Sequence, residues 1–153
     1  MIIIGEKING AIPSVAEAIA KRDAAFIKDL AKTQAEAGAN FIDVCASTDA
    51  AVELATMKWL IDLVQEATDT PIAVDSPSVE ICAESLKFCN KPGLVNSVSL
   101  EGNKIDIIFP LIADSKWQCV VLLSDDKGIP KSGEERLEVF AALMEKAKEY
   151  KIN

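Results

Sequence analysis

The sequence contains no histidine among its 153 residues. This absence excludes Ser-His-Asp and Cys-His nucleophile systems, so any proton must be carried by a carboxyl group, lysine, tyrosine or water. Paired metal ligands are also missing, because none of the four cysteines belongs to a C-x-x-C pair. The cysteines are Cys45, Cys82, Cys89 and Cys119. We therefore expect no metal site and four reduced, mostly buried thiols.

Basic residues are too few for a nucleic-acid-binding surface. Lys and Arg number 16 against 24 Asp and Glu, which gives a formal net charge of −8, whereas nucleic-acid binding needs a basic footprint. No apolar run reaches the roughly 18–20 residues of a membrane span. The opening "MIIIGEKING" lacks the basic leader and long apolar region of a signal peptide. We expect a cytoplasmic protein that binds neither nucleic acid nor membrane.

Glycine motifs for nucleotide binding are absent as well. Gly5 and Gly10 stand too far apart for the G-x-G-x-x-G fingerprint of a dinucleotide-binding fold. The phosphate loop G-x-x-x-x-G-K-[ST] does not occur in the sequence. Both absences argue against nucleotide binding.

Short apolar runs alternate with helical patterns along the whole chain, which we interpret as one domain over residues 1–153. The runs that predict strands are residues 2–5, 40–44, 71–74, 93–97 and 118–123. They are almost continuously apolar, which is typical of strands covered on both faces, and the first is predicted to be buried.

Start and stop signals mark five helices after these strands. N-caps are predicted at Asp23, Ser78 and Ser132, and another helix begins near Asp49. Gly38 supplies a C-terminal stop, the helix capped by Ser78 runs to about residue 89, and Pro110 should kink the helix over residues 104–115. The last helix is predicted to bury Leu137, Phe140, Met144 and Ala147.

Alternation of strand and helix predicts an α/β fold with right-handed crossovers and a parallel sheet. Two architectures fit this pattern, an open doubly wound sheet and part of a (β/α)8 barrel. In a barrel the carboxyl ends of all strands lie on one face, where substrate sites are built.

Polar side chains stand at or near the end of every predicted strand. They are Glu6, Asn9, Asp43, Asp75, Asn96, Ser124 and Asp125. Each one alone is also typical of a turn or a helix cap, and Asp125 fits that interpretation within "SDDKGIP". As a set, carboxylates that accept hydrogen bonds and an amide that gives and accepts them suit a flat heterocycle with several N–H and C=O groups.

The motifs "IIGEKING", "AGANFIDVC", "VDSPS" and "LVNSVS", in this order, resemble the pterin-binding methyltransferases. The likeness is greatest to methyltetrahydrofolate:corrinoid protein methyltransferases, and it covers the whole chain. It implies a (β/α)8 TIM barrel with the pterin bound at the carboxyl ends of the strands. Since a complete barrel has eight βα units, the five predicted here correspond to its N-terminal part.

The resemblance also implies roles for individual residues. Asp75 of "VDS" and Asn96 of "VNS" are expected to be the catalytic residues and to hydrogen-bond the pterin ring. Glu6 and Asn9 of "GEKIN" and Asp43 of "IDV" are expected to bind substrate in the same pocket. A departure from the family pattern is the cysteine at position 45, where many members have asparagine.

The reaction implied is methyl transfer between N5 of methyltetrahydrofolate and the cobalt of a corrinoid. The cobalamin-binding pattern D-x-H-x-x-G is absent, so the cobalamin is expected on a separate corrinoid protein. We also expect an open barrel to self-associate as a dimer. Two alternatives stay open: a dihydropteroate synthase-like enzyme, although "NGAIPSVAEA" differs from its usual first loop, and a barrel fragment that binds pterin without catalysis.

Overall fold

Five parallel strands form one sheet in the order β1-β2-β3-β4-β5 in a computed structural model, which describes residues 1–152. The strands are β1 Ile4–Asn9, β2 Phe41–Cys45, β3 Ile72–Asp75, β4 Leu94–Leu100 and β5 Gln118–Asp125. The helices are α1 Pro13–Lys21, α2 Ala24–Glu36, α3 Ala50–Ala67, α4 Val79–Ser85, α5 Lys104–Ile112 and α6 Gly133–Glu149, and a 3₁₀ turn covers Leu86–Phe88.

This strand order decides between the two predicted architectures. A doubly wound sheet reverses its strand order at a switch point, whereas a barrel adds each strand beside the previous one. Every neighbouring pair here is sequential and parallel. The predicted α/β fold, with strands arranged as in the first five units of a barrel, is confirmed.

The core lies between the sheet and the helices, and strand alternation separates it from the polar face. Ile42 and Val44 of β2 belong to the hydrophobic core shared with the helices. Because successive side chains on a strand point to opposite faces, Asp43 and Cys45 lie on the other face of the same strand. The polar residues of the strand ends are thereby kept apart from the apolar layer under the helices.

The prediction of a buried first strand over residues 2–5 is wrong. Strand β1 begins at Ile4 and extends to Asn9, and Ile8 is its one buried residue. Ile2 and Ile3 are 65% and 47% exposed. They precede an edge strand that pairs with β2 alone, so no second neighbour covers them.

One helix was not predicted, and two helices are shorter than predicted. Helix α1 follows β1, starts with Pro13 and buries Val15, Ala18 and Ile19. Helix α4 ends at Ser85 before the 3₁₀ turn, so it does not reach residue 89 as an α-helix. Helix α5 ends at Ile112, two residues after Pro110 and short of the predicted residue 115.

The predicted cap side chains are confirmed. Asp23, Ser78 and Ser132 each accept a hydrogen bond from the backbone N–H three residues later. In the capping box of α6, the Glu135 carboxylate accepts a hydrogen bond from the N–H of Lys131 rather than from that of Ser132. Helix starts are therefore set locally, by side chains that satisfy free N–H groups.

The buried face of α6 differs from the prediction. Val139 and Leu143 are buried, whereas Leu137, Phe140 and Met144 are 68%, 49% and 43% exposed. We call these three exposed residues the outer stripe of α6. The helix carries apolar residues on two sides, so periodicity alone does not tell which side meets the sheet. Strand β5 is also uncovered in part, because Val121 and Leu122 are exposed.

Glycine at position 10 allows β1 to pass close to β2 at the end of the sheet. The N–H of Gly10 donates to the carbonyl of Cys45 at 2.9 Å. A Cβ atom at Gly10 would lie 1.9 Å from the carbonyl oxygen of Ala46.

Among residues 1–152, no helix is both long and apolar enough to cross a membrane.

Candidate functional site

The register of the sheet places four of the strand-end residues in one row. Asn9 pairs with Cys45, Cys45 pairs with Asp75, and Asp75 pairs with Asn96. The row therefore crosses four neighbouring strands. It lies at the last residue of β1, β2 and β3 but at the third residue of β4, which continues to Leu100, so the prediction that Asn96 ends the fourth strand is wrong. In a parallel barrel-type sheet the carboxyl ends of the strands form the edge where ligands bind.

Asp43 lies one layer beneath the row and contacts it directly. It is two residues before Cys45 and only 2% exposed. The Nδ2 atom of Asn96 donates a hydrogen bond to Asp43 Oδ1 at 3.0 Å, although the residues are 53 positions apart. Because Nδ2 donates to this carboxylate, the hydrogen bond fixes the orientation of the Asn96 amide on β4.

Burial perturbs the acidity of both aspartates. It raises the pKa of Asp43 to about 7, against the opposing effect of the Asn96 hydrogen bond and with the help of the charges on Asp75 and Glu6. It also raises the pKa of Asp75, where the neighbouring Cys45 thiol opposes the rise and the charges of Glu6 and Glu53 add to it. The site is thus a set of desolvated carboxyl groups that ionise less readily than exposed ones.

Asn9 and Glu6 occupy different environments at this edge. The Oδ1 atom of Asn9 accepts hydrogen bonds from the N–H of Ala11 at 2.9 Å and from Ser47 Oγ at 3.2 Å. Asn9 thus orders the turn after β1 and links it to the loop after β2. Glu6 is exposed, beside the irregularity in the β1 register between Gly5 and Ile8, and its charge acts on both Asp43 and Asp75.

Cys45 stands beside Asp75 in the register and uses its thiol as a polar group. Its Sγ atom lies 3.2 Å from Ser47 Oγ and is the donor of that hydrogen bond, because the Ser47 hydroxyl group donates to Asn9. Burial raises the pKa of the Cys45 thiol to about 11, so the neutral thiol is the form that stands beside Asp75 in the register. A thiol that keeps its proton is a polar neighbour of Asp75 rather than a nucleophile.

The fifth strand contributes a turn rather than a group in the row. Asp125 Oδ1 accepts from the N–H of Lys127 at 2.8 Å, and Asp125 and Gly128 exchange two backbone hydrogen bonds. These contacts are those of a turn residue, as predicted from "SDDKGIP". Ser124, the other polar residue at this end, is buried.

Two functional candidates were missed from the sequence, Glu53 and Ser76. Ser76 Oγ donates to Glu53 Oε1 at 2.6 Å, and the two residues are 8% and 5% exposed. A signal was present, because Glu53 begins the stripe continued by Met57, Leu60 and Val64 at helical spacing, and the whole stripe is buried. A carboxylate on the buried stripe of a helix calls for a partner.

A cavity of about 220 Å³ opens beside Asp75, between the strand ends and helices α4 and α5. Ser76 and Ser97 line it with Asp75, and the side chain of Lys104 lines it from the start of α5. The cavity therefore brings together hydrogen-bond acceptors, hydroxyl groups and one cation. This composition suits a small polar ligand better than an apolar one.

Comparisons with known proteins show which family this chain resembles. The family described as pterin binding enzyme matches residues 6–152. A methylcorrinoid:tetrahydrofolate methyltransferase of Eubacterium limosum is 51% identical over 154 residues, which cover 99% of this chain and 57% of that protein. The chain thus spans little more than half the length of this relative.

More distant relatives include two methionine synthases. The protein of Mycobacterium leprae (strain TN) is 26% identical over 150 residues, covering 94% of this chain and 12% of the relative. The protein of Mycobacterium tuberculosis (strain ATCC 25618 / H37Rv) is 24% identical over 150 residues, covering 94% and 13%. This chain therefore corresponds to a small segment of each synthase.

Proposed function

The chain belongs to the family of pterin-binding enzymes, and from that membership we propose that it serves methyl transfer between N5 of methyltetrahydrofolate and the cobalt of a corrinoid. The name of the Eubacterium limosum relative, which is 51% identical over 99% of this chain, supports both the folate and the corrinoid. The names of the relatives also favour methyl transfer over a dihydropteroate synthase-like reaction.

The observation that carries the proposal is the row of hydrogen-bonding groups that crosses β1 to β4. In the proposed site Asp75 and Asn96 bind the pterin ring directly, because a carboxylate accepts from ring N–H and amino groups and an amide can give or accept. Glu6, Asn9 and Asp43 shape the same pocket. The carboxylates are suited to ring donors, since burial has removed part of their hydration.

In the proposed reaction the protein positions the pterin ring and holds or releases a proton. The methyl group is exchanged with the corrinoid cobalt, which is a substrate here, so no protein nucleophile is required. A tertiary amine is a poor leaving group unless its nitrogen gains a proton or a strong hydrogen bond. Asp43, with a pKa of about 7, is the group proposed to hold or release a proton near neutral pH beneath Asn96.

The corrinoid is proposed to arrive on a separate protein, as the resemblance to methyltetrahydrofolate:corrinoid protein methyltransferases implies. The four cysteines are free, which suits a reducing compartment such as the cytoplasm.

We also propose that the chain forms a dimer through β5 and the outer stripe of α6, where apolar side chains are exposed. Exposed strand edges and apolar patches favour association.

The proposal is tested first by calorimetric titration with methyltetrahydrofolate. We then expect methyl transfer to a Co(I) corrinoid protein, which is measured as a change in the visible absorption spectrum of the cobalt. Asp75→Ala should abolish most of the heat of binding, and Asp125→Ala is the matched control on the same edge of the sheet. Binding without transfer would show a pterin-binding module that is not catalytic, and absence of binding would overturn the proposal.

A further inference from the structure

Glu53 is a buried acid that no step above employs. It lies in the first turn of α3 and is 5% exposed, yet among residues 1–152 no lysine or arginine forms a salt bridge with it. Its hydrogen-bond partner is the hydroxyl group of Ser76 at 2.6 Å. A buried carboxylate without a cation is costly to keep, so its position beside the site calls for a role.

The hydroxyl group of Ser76 connects Glu53 to the segment that carries Asp75. Ser76 Oγ donates to Glu53 and accepts from the N–H of Ser78 at 3.1 Å. Ser78 in turn caps α4, and Pro77 restricts the backbone between them. The hydroxyl group of Ser76 therefore anchors the connection from β3 to α4 through two hydrogen bonds. Asp75 is the residue directly before Ser76.

Charge gives a second connection between Glu53 and Asp75. Burial is the largest cause that raises the pKa of Asp75, the Cys45 thiol opposes it, and the negative charges of Glu6 and then Glu53 add to the rise. The titratable groups that face Asp75 come from five elements: Glu6 of β1, Asp43 and Cys45 of β2, Glu53 of α3, Cys82 of α4 and Lys104 of α5. Cys82 donates to the carbonyl of Val74, on the strand side of Asp75, and Glu53 is the acid of this set that holds the residue on the other side, Ser76.

We propose that Glu53 is a positioning residue that acts on Asp75, through the hydrogen bond to Ser76 and through its negative charge, and so sets the pH range in which Asp75 accepts hydrogen bonds from a bound pterin. The proposal rests on the proposed function for its ligand. The charge makes the proton of Asp75 harder to remove. Once the proton is lost, the same charge leaves Asp75 a stronger hydrogen-bond acceptor.

The two contributions of Glu53 can be separated by substitution. Glu53→Gln keeps an oxygen that accepts from Ser76 and removes the charge. Ser76→Ala removes the hydrogen bond and keeps the charge. Glu66→Gln is the matched control, because Glu66 lies on the same helix but is exposed and paired with Lys28.

The experiment measures the affinity for methyltetrahydrofolate from pH 5 to 8.5. We expect the binding curve of Glu53→Gln to move to lower pH, so that this variant binds more tightly than the wild type at the acidic end. Ser76→Ala should bind about fivefold more weakly at every pH, the effect of losing one hydrogen bond. Glu66→Gln should follow the wild type. A Glu53→Gln curve that coincides with the wild-type curve, or that is weaker by one factor throughout, would overturn the proposal.

A second measurement distinguishes failure of this inference from failure of the proposed function. The carboxyl group of Asp75 can be titrated by ¹³C NMR in the protein without ligand, in the wild type and in Glu53→Gln. We expect a lower Asp75 pKa in the variant. If that result is found but the wild type binds no folate, the positioning role stands and the proposed function fails. An unchanged Asp75 titration refutes the role of Glu53, whatever the protein binds.

Discussion

Replacing Asp43 by asparagine should stabilise the protein at neutral and alkaline pH. The wild-type residue is 2% exposed, and burial raises its pKa from 3.8 to about 7. Below pH 3.8 the carboxyl group is protonated in both the folded and the unfolded chain. Between pH 3.8 and 7 the folded chain keeps the proton while the unfolded chain loses it, so the free energy of unfolding falls as pH rises.

The size of the effect follows from the interval between the two pKa values. At about 1.4 kcal/mol for each pKa unit, a rise from 3.8 to about 7 corresponds to roughly 4 kcal/mol of lost stability above pH 7. We expect about 2–4 kcal/mol, because part of the rise comes from the charges on Asp75 and Glu6 rather than from the burial of Asp43 itself. Asparagine keeps an oxygen that accepts from Asn96 and carries no charge, so Asp43→Asn should escape this loss.

Urea unfolding followed by circular dichroism at pH 4, 5.5, 7 and 8.5 provides the test. The wild type and Asp43→Asn should have similar free energies of unfolding at pH 4 and diverge as pH rises. Asp69→Asn is the control, because the Asp69 carboxylate is fully exposed. Parallel profiles for the wild type and Asp43→Asn would refute the reasoning, since burial would then not hold a proton on Asp43.

Three further predictions concern binding, thiols and association. Asp75→Ala and Asn96→Ala should each weaken methyltetrahydrofolate binding by about 10- to 100-fold in calorimetry, the value of a buried charge-assisted hydrogen bond, whereas Asp125→Ala should bind normally. Thiol titration of the denatured protein without reductant should find four free groups, and fewer would contradict a reducing compartment. Light scattering should show a dimer that dissociates when Leu137 and Phe140 of the outer stripe are replaced by serine, and a stable monomeric wild type would disprove the association.

Much of the fold could be predicted from the sequence because its signals are local. The N-cap at Asp23 depends on a side chain and an N–H three residues away, and the strand runs depend on consecutive apolar residues. The prediction failed where a tertiary contact decides the outcome. Helix α6 has two apolar sides, and only the position of β5 and β4 selects Val139 over Leu137 for burial. Helix α1 was missed although Pro13 at its start is a helix signal.

The residues of the candidate site could be predicted from the sequence, but the hydrogen bonds between them could not. Parallel strands must end on one edge, so the placement of Asp75 and Asn96 near each other follows from alternation alone. Their hydrogen-bond partners do not, because Asn96 contacts Asp43 across an intervening strand. Glu53 was missed for a related reason, since its partner Ser76 is 23 positions away and the pattern of α3 shows only that position 53 faces inward.

The acidic residues of the site differ from exposed carboxylates of the chain in the groups that pair with their negative charge. Exposed acids such as Glu84 form ion pairs with lysines, whereas within residues 1–152 no salt bridge reaches Asp43, Glu53 or Asp75. Asp43 accepts one hydrogen bond from an amide and Glu53 one from a hydroxyl group, and both keep unused acceptor capacity. A ligand with adjacent N–H donors supplies what these neutral partners do not. Because the carboxylates are already desolvated, each donor that reaches them gains more than it would at the surface. Asp43 and Asp75, whose raised pKa values lower the stability of the free protein as pH rises, are therefore the groups that would make it bind a donor-rich ring.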